Sequence, residues 1–597
     1  MLALNEPAKD NFAGKLAYPH YSIFFMKLKS TLAGIFILAA QSAFAQSTYL
    51  QLGQEDYHLL DRLETRSGRL TSEFFTTTKP ISRRGAVSFL EEQRTEALGL
   101  GLSDIDRYNV EHAISVSGEW ATNGDGAIDS RKPWVKTFYK KQPDFFSVHT
   151  KDFFLSVNPV LAGQVMVEKT SPDRGTDNPL FSNSRGIELR GTIANRVGFY
   201  TYFSDNQEEP PAFVNDYITS HQAVPGADYY QTPGNTGRKY DYLLARGYID
   251  FAVVKDHINV TAGYDKHFIG DGIRSLFLSD FSSGASFVRL TTKIWKLNYQ
   301  NLYLELTPQY TRGADRVLAH KYATVHHLSV NATKWLNVGL FEGVVFNRPN
   351  AYEFSYLNPL ILYRQTERSN GSPDNALLGL NFKALAAKHL QFYGQFLLDE
   401  FKFSELKSGN GWWGNKFGVQ LGGKYFDAFT VKNLDLQAEV NVVRPFTYTH
   451  YDTIANYTNY NQPMAHPLGA GFAEFLGIAR YQPIKNLYLT LKGMYYRQGL
   501  DSNGTNYGSD IFLSYTDRTP LNPADQEHGY KLINGIKTTT MLVGLNASYE
   551  LRENLFLDLG GSYRMRKYDH GYAADQKTSY FYAGFRLNIA RRDYDFY

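Results

Sequence analysis

The sequence contains no cysteine, so it forms no disulfide and has no lipid-bearing N-terminal cysteine of the kind that anchors lipoproteins. Beyond residue 45 it also lacks any apolar run of about 18 residues, which excludes a transmembrane helix. Neither sign of charge is in excess, because 62 basic and 59 acidic residues leave a net charge of +3. This balance gives no support for nucleic-acid binding.

An export signal stands near the start of the chain, although not at residue 1. The basic stretch MKLK at residues 26–29 precedes the apolar run LAGIFILAA, and Ala43-Phe44-Ala45 provides a small-x-small cleavage site. We therefore predict a signal peptide at residues 26–45, with Gln46 as the first residue of the exported protein. Residues 1–25 have no role in such a signal, and we interpret them as a non-native upstream extension before a true start at Met26.

Aromatic residues and glycine are abundant. Aromatics make up 15% of the chain, with 43 Tyr and 41 Phe, and there are 49 Gly. A soluble chain of this length would normally divide into several domains. An exported chain with this composition and no apolar helix fits an outer-membrane β-barrel better.

Residues 46–145 have a helical pattern, and we predict that they form a small periplasmic α-helical domain. Leu59, Leu60 and Leu63 share one helical face, Ser82 is a candidate cap of a second helix, and SDID at residues 103–106 resembles a capping box. These helices are short and weakly amphipathic, so they need a partner surface. We expect them to cover the inner mouth of the barrel.

Residues 146–597 have the two-residue period of β-strands. In the last predicted strand Phe581, Phe585 and Leu587 alternate with Tyr582 and Arg586, as expected for lipid on one face and a wet lumen on the other. The chain then ends on two aromatic residues, as outer-membrane barrels commonly do. A soluble antiparallel sheet alternates in the same way, so the number of repeats decides between the two.

A weak repeat marks short turns and sets the number of strands. KWLNVGL at 334, KHLQFYG at 388, KNLDLQA at 432, KNLYLTL at 485 and ENLFLDL at 553 share one pattern. Counting from them predicts about eighteen antiparallel strands, with a short turn after every even strand and a long loop after every odd one. The predicted starts are residues 151, 184, 196, 241, 258, 285, 297, 320, 336, 375, 389, 415, 433, 470, 486, 536, 554 and 578.

The stretch DKHFIGDGIRSLFLSDFSSGAS, which begins at residue 265, contains two close glycines that suggest a nucleotide site. The Rossmann pattern needs a third glycine where Ser275 stands, and the P-loop needs a Gly-Lys-Ser/Thr that is missing. In the barrel the stretch falls between strands five and six. We therefore predict an external or lumen-entering loop.

Five stretches resemble the Wzi-type capsule-assembly family of outer-membrane proteins, and most of all its Bacteroidetes branch with the RemB-like gliding-motility proteins. They are SRGIELRGTIANRVGFYTYFSD, GYDKHFIGDGIRSLFLSD, NPLILYRQTERSNGSPDNALLGL, GWWGNKFGVQLGGKY and QPMAHPLGAGFAEFLG. The resemblance runs from about residue 50 to the end. It implies an eighteen-stranded barrel with a periplasmic helical bundle, a lectin-like role for capsular polysaccharide, and no catalytic activity or cofactor.

Candidate glycan-binding residues fall in three predicted loops. Trp412 and Trp413 offer flat surfaces for sugar rings, with an interfacial aromatic girdle as the alternative. Arg364 and Arg368 could bind acidic sugars in a bidentate fork, with a salt-bridge network that braces a folded loop as the alternative. The same ambiguity holds for the other candidates, which are Glu367, Asp374, Asn375, Asp271 and Arg274.

Nothing in the sequence indicates an enzyme or a metal site. The 15 histidines show no ligand spacing, no pair of carboxylates stands out as a glycosidase pair, and no G-x-S-x-G is present. The leading hypothesis is a non-enzymatic barrel in the outer membrane that binds or anchors exported surface polysaccharide. Its other expected partners are outer-membrane lipid and the capsule-export or gliding machinery. The alternatives are a cell-surface gliding-motility component and a solute porin.

Overall fold

The computed structural model describes residues 47–122, 137–173, 179–194, 196–233, 237–308, 318–348, 351–359, 362–371, 373–502 and 504–596. The predicted signal peptide at 26–45 and the upstream extension at 1–25 lie outside these residues. The described helices and strands belong to one compact unit.

Eighteen antiparallel strands form a closed barrel, as the sequence predicts. They are β1 Phe153–Ser171, β2 Leu180–Ile193, β3 Val197–Glu209, β4 Tyr240–Val254, β5 Ile258–Asp265, β6 Ala285–Ile294, β7 Leu297–Leu306, β8 Lys321–Asn331, β9 Leu336–Phe346, β10 Asn375–Ala386, β11 Leu390–Glu400, β12 Lys416–Tyr425, β13 Leu434–Val443, β14 Phe472–Ile484, β15 Leu487–Leu500, β16 Ile536–Arg552, β17 Leu555–Tyr568 and β18 Gln576–Leu587. Each starts within four residues of its predicted position.

Each barrel strand pairs with its neighbours along the chain, and β18 pairs with β1 to close the wall. Turns after even-numbered strands have two to eight residues, whereas loops after odd-numbered strands have seven to 35. The predicted alternation is therefore confirmed, and it gives the barrel a short-turn end and a long-loop end. Short additional strands occur at Thr78–Lys79, Phe146–His149, Tyr230–Gln231, Phe268–Ile269, Thr458–Asn459 and Gln462–Pro463.

The two faces of the wall differ as the period of two predicts. Phe581 and Phe585 point outward and are exposed, whereas Arg586 points inward and donates to Asp558 on β17. Exposed aromatic residues also stand in the short turns, such as Trp295 and Trp335. An outward apolar band with aromatic residues at its edge is the surface that outer-membrane barrels present to lipid.

Three helices precede the barrel: α1 (Asp56–Ser67), α2 (Arg83–Leu100) and α3 (Asp104–Val116). The predicted caps are confirmed, since the Ser82 hydroxyl accepts from the Gly85 N–H and Ser103 forms a capping box with Asp106. A 3₁₀ turn, Gly118–Trp120, follows. No helix of the described ranges is both long and apolar enough to span a bilayer.

The remaining helices lie in loops: α4 (Ala212–His221), α5 (Tyr363–Ser369) and α6 (Phe403–Ser408). Short 3₁₀ turns occur at Phe354–Leu357, Ala428–Thr430, Thr453–Ala455, Tyr515–Asp517 and Asp569–Gly571.

The segment with α1–α3 lies against the short-turn end. The Leu70 N–H donates to the Lys334 carbonyl in the β8–β9 turn, and Ser103 donates to Asn433 in the β12–β13 turn. Ser115 donates to Glu553 in the β16–β17 turn. Because these turns are spread around the barrel, the helices contact its rim at several separate points.

The lumen is occupied by chain that enters from both ends. The β5–β6 loop (266–284) turns inward, and its strand Phe268–Ile269 pairs with Thr78–Lys79 from the N-terminal segment. Apolar residues of this loop, such as Leu276 and Phe277, pack with inward residues of the wall in one buried cluster. The lumen is therefore not a uniformly wet channel, in contrast to the expectation from strand alternation.

The last residues also fold into the lumen. β18 ends at Leu587, after which Arg592 forms two hydrogen bonds of 2.7 and 2.6 Å with Glu208 on β3. Phe596 packs against Tyr217 of α4, in a long-loop segment. The tail thus runs from the short-turn end towards the long-loop end, and Phe596 does not belong to the last strand.

Candidate functional site

A cluster of aromatic and charged side chains stands at the long-loop end; we call Trp412, Trp413, Tyr515, Arg518 and Glu527 the tryptophan cluster. The two indole rings lie 5.9 Å apart, and both donate their Nε1–H to one oxygen of Glu527, at 3.2 and 2.7 Å. The Arg518 guanidinium lies 4.6 Å from the centre of the Trp413 ring. Tyr515 lies against the same ring at 5.1 Å.

Two loops build this cluster by pairing their backbones. Trp412 and Trp413 belong to the β11–β12 loop, and Glu527 belongs to the β15–β16 loop. The Trp413 N–H donates to the Glu527 carbonyl, and the Tyr530 N–H donates to the Gly411 carbonyl. The rings are therefore held by chain segments more than a hundred residues apart in sequence.

Glu527 remains ionised in this setting. Partial burial acts to raise the pKa of its carboxyl, but the two indole N–H groups and Arg518 outweigh that effect and lower it. A carboxylate held between two indoles and a guanidinium is a planar acceptor suited to sugar hydroxyls. Trp412 keeps part of its ring accessible, whereas Trp413 is buried among Phe446, Tyr515 and Tyr530.

A cavity of about 520 Å³ opens at the same end of the barrel. One wall is α4, where the Tyr217 and His221 rings stack at 4.0 Å. The other walls are segments 461–469 and 498–512, which contribute Phe512 and Asp510. The β15–β16 loop lines this cavity and also carries three of the five residues of the tryptophan cluster. Stacked rings beside polar groups in a pocket of this size suit a small glycan unit.

Asp271 and Arg274 lie inside the barrel, away from the tryptophan cluster. Asp271 is buried and accepts from the hydroxyls of Thr76 and Thr77, at 2.6 and 2.7 Å. Arg274 is buried and donates to the Asp595 carbonyl at 2.6 Å. Both residues thus connect the inward loop with other parts of the chain.

The same loop is fixed by a carboxylate of the wall. Glu439 on β13 accepts from the backbone N–H groups of Ile273 and Arg274, at 2.6 and 3.1 Å. A side chain at Gly272 would meet Glu439 at 2.5 Å, so the glycine permits this close approach. The glycines that suggest a phosphate loop in the sequence therefore serve contacts within the protein.

The candidates in the β9–β10 loop and at the start of β10 fall into two groups. Asp374 is buried, pairs with both terminal nitrogens of Arg348 at 2.8 and 2.9 Å, and accepts from Tyr356. Asn375 donates to the Ala455 carbonyl at 3.0 Å.

Glu367 is buried and lies 3.3 Å from Arg364. Arg364 and Arg368 are both exposed on α5. None of these five residues contacts Trp412 or Trp413.

Sequence reasoning found the two tryptophans but missed Tyr515, Arg518 and Glu527. Their loop carries no regular period, and only the three-dimensional pairing of the loops brings them beside the indoles. Within the described part of the chain, no three His, Asp or Glu side chains are grouped so that they could hold a metal ion.

No family model and no curated protein sequence matches this chain. Among solved structures it is similar to Wzi of Escherichia coli, described as an outer-membrane protein of group 1 capsule assembly and a carbohydrate-binding β-barrel. The TM-score is 0.52 at 12% identity, over 92% of this chain and all of that one. OprD of Pseudomonas aeruginosa matches with a TM-score of 0.40 at 12% identity, over 72% of this chain and 95% of that one. The likeness to Wzi shows that this chain has the fold of an outer-membrane β-barrel.

Proposed function

We propose that this protein is a non-enzymatic outer-membrane barrel that binds and anchors exported surface polysaccharide. The observation that carries the proposal is the tryptophan cluster, in which two indoles share one ionised carboxylate at the long-loop end. The barrel occupies residues 146–597 in this proposal, and residues 46–145 form its periplasmic domain. The long loops then face the cell exterior, where a capsule lies.

The geometry suits retention of a polymer better than turnover of a substrate. Ring faces and fixed polar groups bind repeating sugars without making or breaking bonds. The tryptophan cluster and the cavity beside α4 provide two places where one chain can be held. Two weak sites on one polymer raise the overall affinity well above that of either site, which fits an anchor.

The filled lumen argues against the porin alternative. The β5–β6 loop is bonded to Glu439, and the C-terminal tail is bonded to Glu208 on β3. An eighteen-stranded barrel is wide enough for an aqueous channel only when nothing fills it. Planar-bilayer recordings of the purified protein test this alternative, since large and regular conductance steps would support a porin.

Capsule retention tests the proposal directly. A deletion strain should shed capsule into the medium, and a plasmid copy of the wild-type gene should return it to the cells. A copy with Trp412→Ala and Glu527→Gln should insert normally but fail to restore retention. A deletion strain that keeps all of its capsule on the cells would overturn the proposal. The gliding-motility alternative predicts instead that the knockout of a gliding host loses surface spreading.

A further inference from the structure

The β9–β10 loop folds down over the outside of the barrel. On β8 the residues that face the lumen include Val325, which is in the core cluster, so Thr324 and His326 face outward. Tyr352 is bonded to Thr324, and Tyr363 is bonded to His326. The described parts of this loop, 351–359 and 362–371, form a flap against the outer faces of β7–β10.

Beneath the flap the outer wall carries polar residues beside a buried apolar cluster that includes Val344 and Phe346. His326, Glu342, Thr324 and Asn301 point outward but are buried. The backbone N–H of Arg364 donates to Glu342 at 3.0 Å. Ionisable residues on a lipid-facing wall are costly unless another part of the protein covers them, so the flap shields a patch that lipid would not tolerate.

The flap's own backbone is also bonded to the wall. Tyr299 on β7 donates to the Pro359 carbonyl at 2.6 Å, and Tyr303 donates to the Leu357 carbonyl at 3.1 Å. Irregular backbone at membrane depth is tolerated only where protein satisfies its polar groups. Because the two tyrosines satisfy carbonyl groups of the flap, the opposite side of the flap can face acyl chains.

That opposite side combines apolar and cationic residues. Phe354 is 84% exposed and Leu362 is 71% exposed. Arg364 and Arg368 are exposed on α5, and their spacing of four residues places them on one helical face. Arg364 lies beside Glu367, whereas Arg368 has no carboxylate within 4 Å among the described residues.

We propose that the flap is a binding site for a membrane lipid whose phosphate headgroup carries a net negative charge. Arg364 and Arg368 bind the anionic headgroup, because guanidinium groups form paired, charge-assisted hydrogen bonds with phosphate. Phe354 and Leu362 contact the acyl chains. The site lies on the outer wall, away from the mouth of the barrel, so it is separate from polysaccharide binding and does not depend on the proposed function.

The test measures lipid binding by native mass spectrometry of the full chain in detergent. Phosphatidic acid and phosphatidylcholine with the same acyl chains are added in turn. We expect the wild type to bind phosphatidic acid more tightly than phosphatidylcholine. Loss of two charge-assisted contacts in R364Q/R368Q should weaken binding of phosphatidic acid about tenfold or more, with little change for phosphatidylcholine.

A matched control is Arg185→Gln. Arg185 is also exposed on the outer wall, but it is paired with Asp205 at 3.0 Å, so its loss should leave phosphatidic acid binding unchanged. A thermal melt shows whether each variant is folded. Equal binding by R364Q/R368Q and the wild type would overturn the proposal. So would a stable dimer that excludes lipid and that substitutions at Phe354 and Leu362 dissolve, because a second copy would then cover the flap.

Discussion

Lys424 on β12 and Asp61 on α1 form a buried ion pair, with the Lys424 Nζ 2.6 Å from the Asp61 Oδ2. Next to it, Arg62 reaches three carboxylates: Asp106 on α3, Asp427 in the β12–β13 turn and Asp435 on β13. The first helix is therefore attached to the barrel wall by charged groups that are largely removed from water. A complete set of buried ion pairs has little net effect on the free energy of unfolding, whereas the loss of one partner leaves an uncompensated buried charge and is strongly destabilising.

Arg62→Ala should release the helical segment from the short-turn end. The substitution leaves three carboxylates close together without their shared cation, which costs roughly 3–5 kcal/mol. Limited proteolysis of the folded barrel should then cleave the segment with α1–α3 much faster than in the wild type.

Arg69→Ala is the control for this prediction. The Arg69 guanidinium and Glu92 form a pair with both side chains about half exposed, and such surface pairs contribute about 0–1 kcal/mol. R69A should leave the cleavage rate close to that of the wild type. Equal protection of R62A and the wild type would show that apolar packing alone holds the helices.

Docking of α3 should weaken in alkali. Burial acts to lower the pKa of His112, but its hydrogen bond and charge interaction with Glu550 raise it to about 9. Because the pKa of His112 is higher in the docked state, its contribution to docking is complete below the undocked pKa of about 6.5. This contribution is lost as the pH rises through 9. Protease protection measured between pH 6 and 10 should fall across this window, and His112→Gln should flatten the profile.

In acid, the contribution of Asp61 to docking is lost only at low pH. Burial acts to raise its pKa, but Lys424, Lys383 and Lys79 lower it to about 2. Because the pKa of Asp61 is lower in the docked state, its contribution to docking is complete above the undocked pKa of about 3.9. This contribution is lost as the pH falls towards 2. The contribution of Asp61 to the stability of the docked helices should therefore stay constant from pH 5 to 7. A loss of protection near pH 6 would show that another group controls docking.

The sequence predicts the barrel well because its signals are local. Apolar and polar residues alternate along β18, and the capping partners Ser103 and Asp106 stand three residues apart. Each of these patterns lies within one short window of sequence. The path of the long loops depends on contacts between distant segments. Nothing near Trp413 indicates Glu527, and nothing near Arg364 indicates that its loop turns outward over β8 while the β5–β6 loop turns inward.

Trp412→Ala should weaken binding of the purified protein to its polysaccharide by about tenfold, since an anchoring tryptophan typically dominates a binding surface. Isothermal titration with oligosaccharides prepared from the host's own capsule measures the change. Trp335→Ala is the control, because Trp335 is exposed in a short turn at the opposite end of the barrel. Equal losses from W412A and W335A would point to an effect on the barrel as a whole, and no loss from W412A would remove this cluster from the site.

The closure of the lumen leads to a prediction about two truncations. Removing residues 50–120 deletes α1–α3 and the strand Thr78–Lys79 that pairs with the inward loop. Removing residues 591–597 deletes Arg592 and Tyr594, which both bond to Glu208. Because the two segments block different parts of the lumen, each truncation alone should raise outer-membrane permeability to large antibiotics only modestly. The double truncation should raise it by more than the sum of the two.

The measurement is the inhibitory concentration of a large antibiotic in strains that make equal amounts of inserted barrel. A truncation that removes only Tyr597 is the control, since it retains the Arg592 and Tyr594 contacts with Glu208. Unchanged permeability in the double truncation, at normal insertion, would mean that the β5–β6 loop and its apolar packing against the wall close the lumen alone. Glu439→Ala should then be the change that opens it, because Glu439 holds the backbone of that loop through two hydrogen bonds.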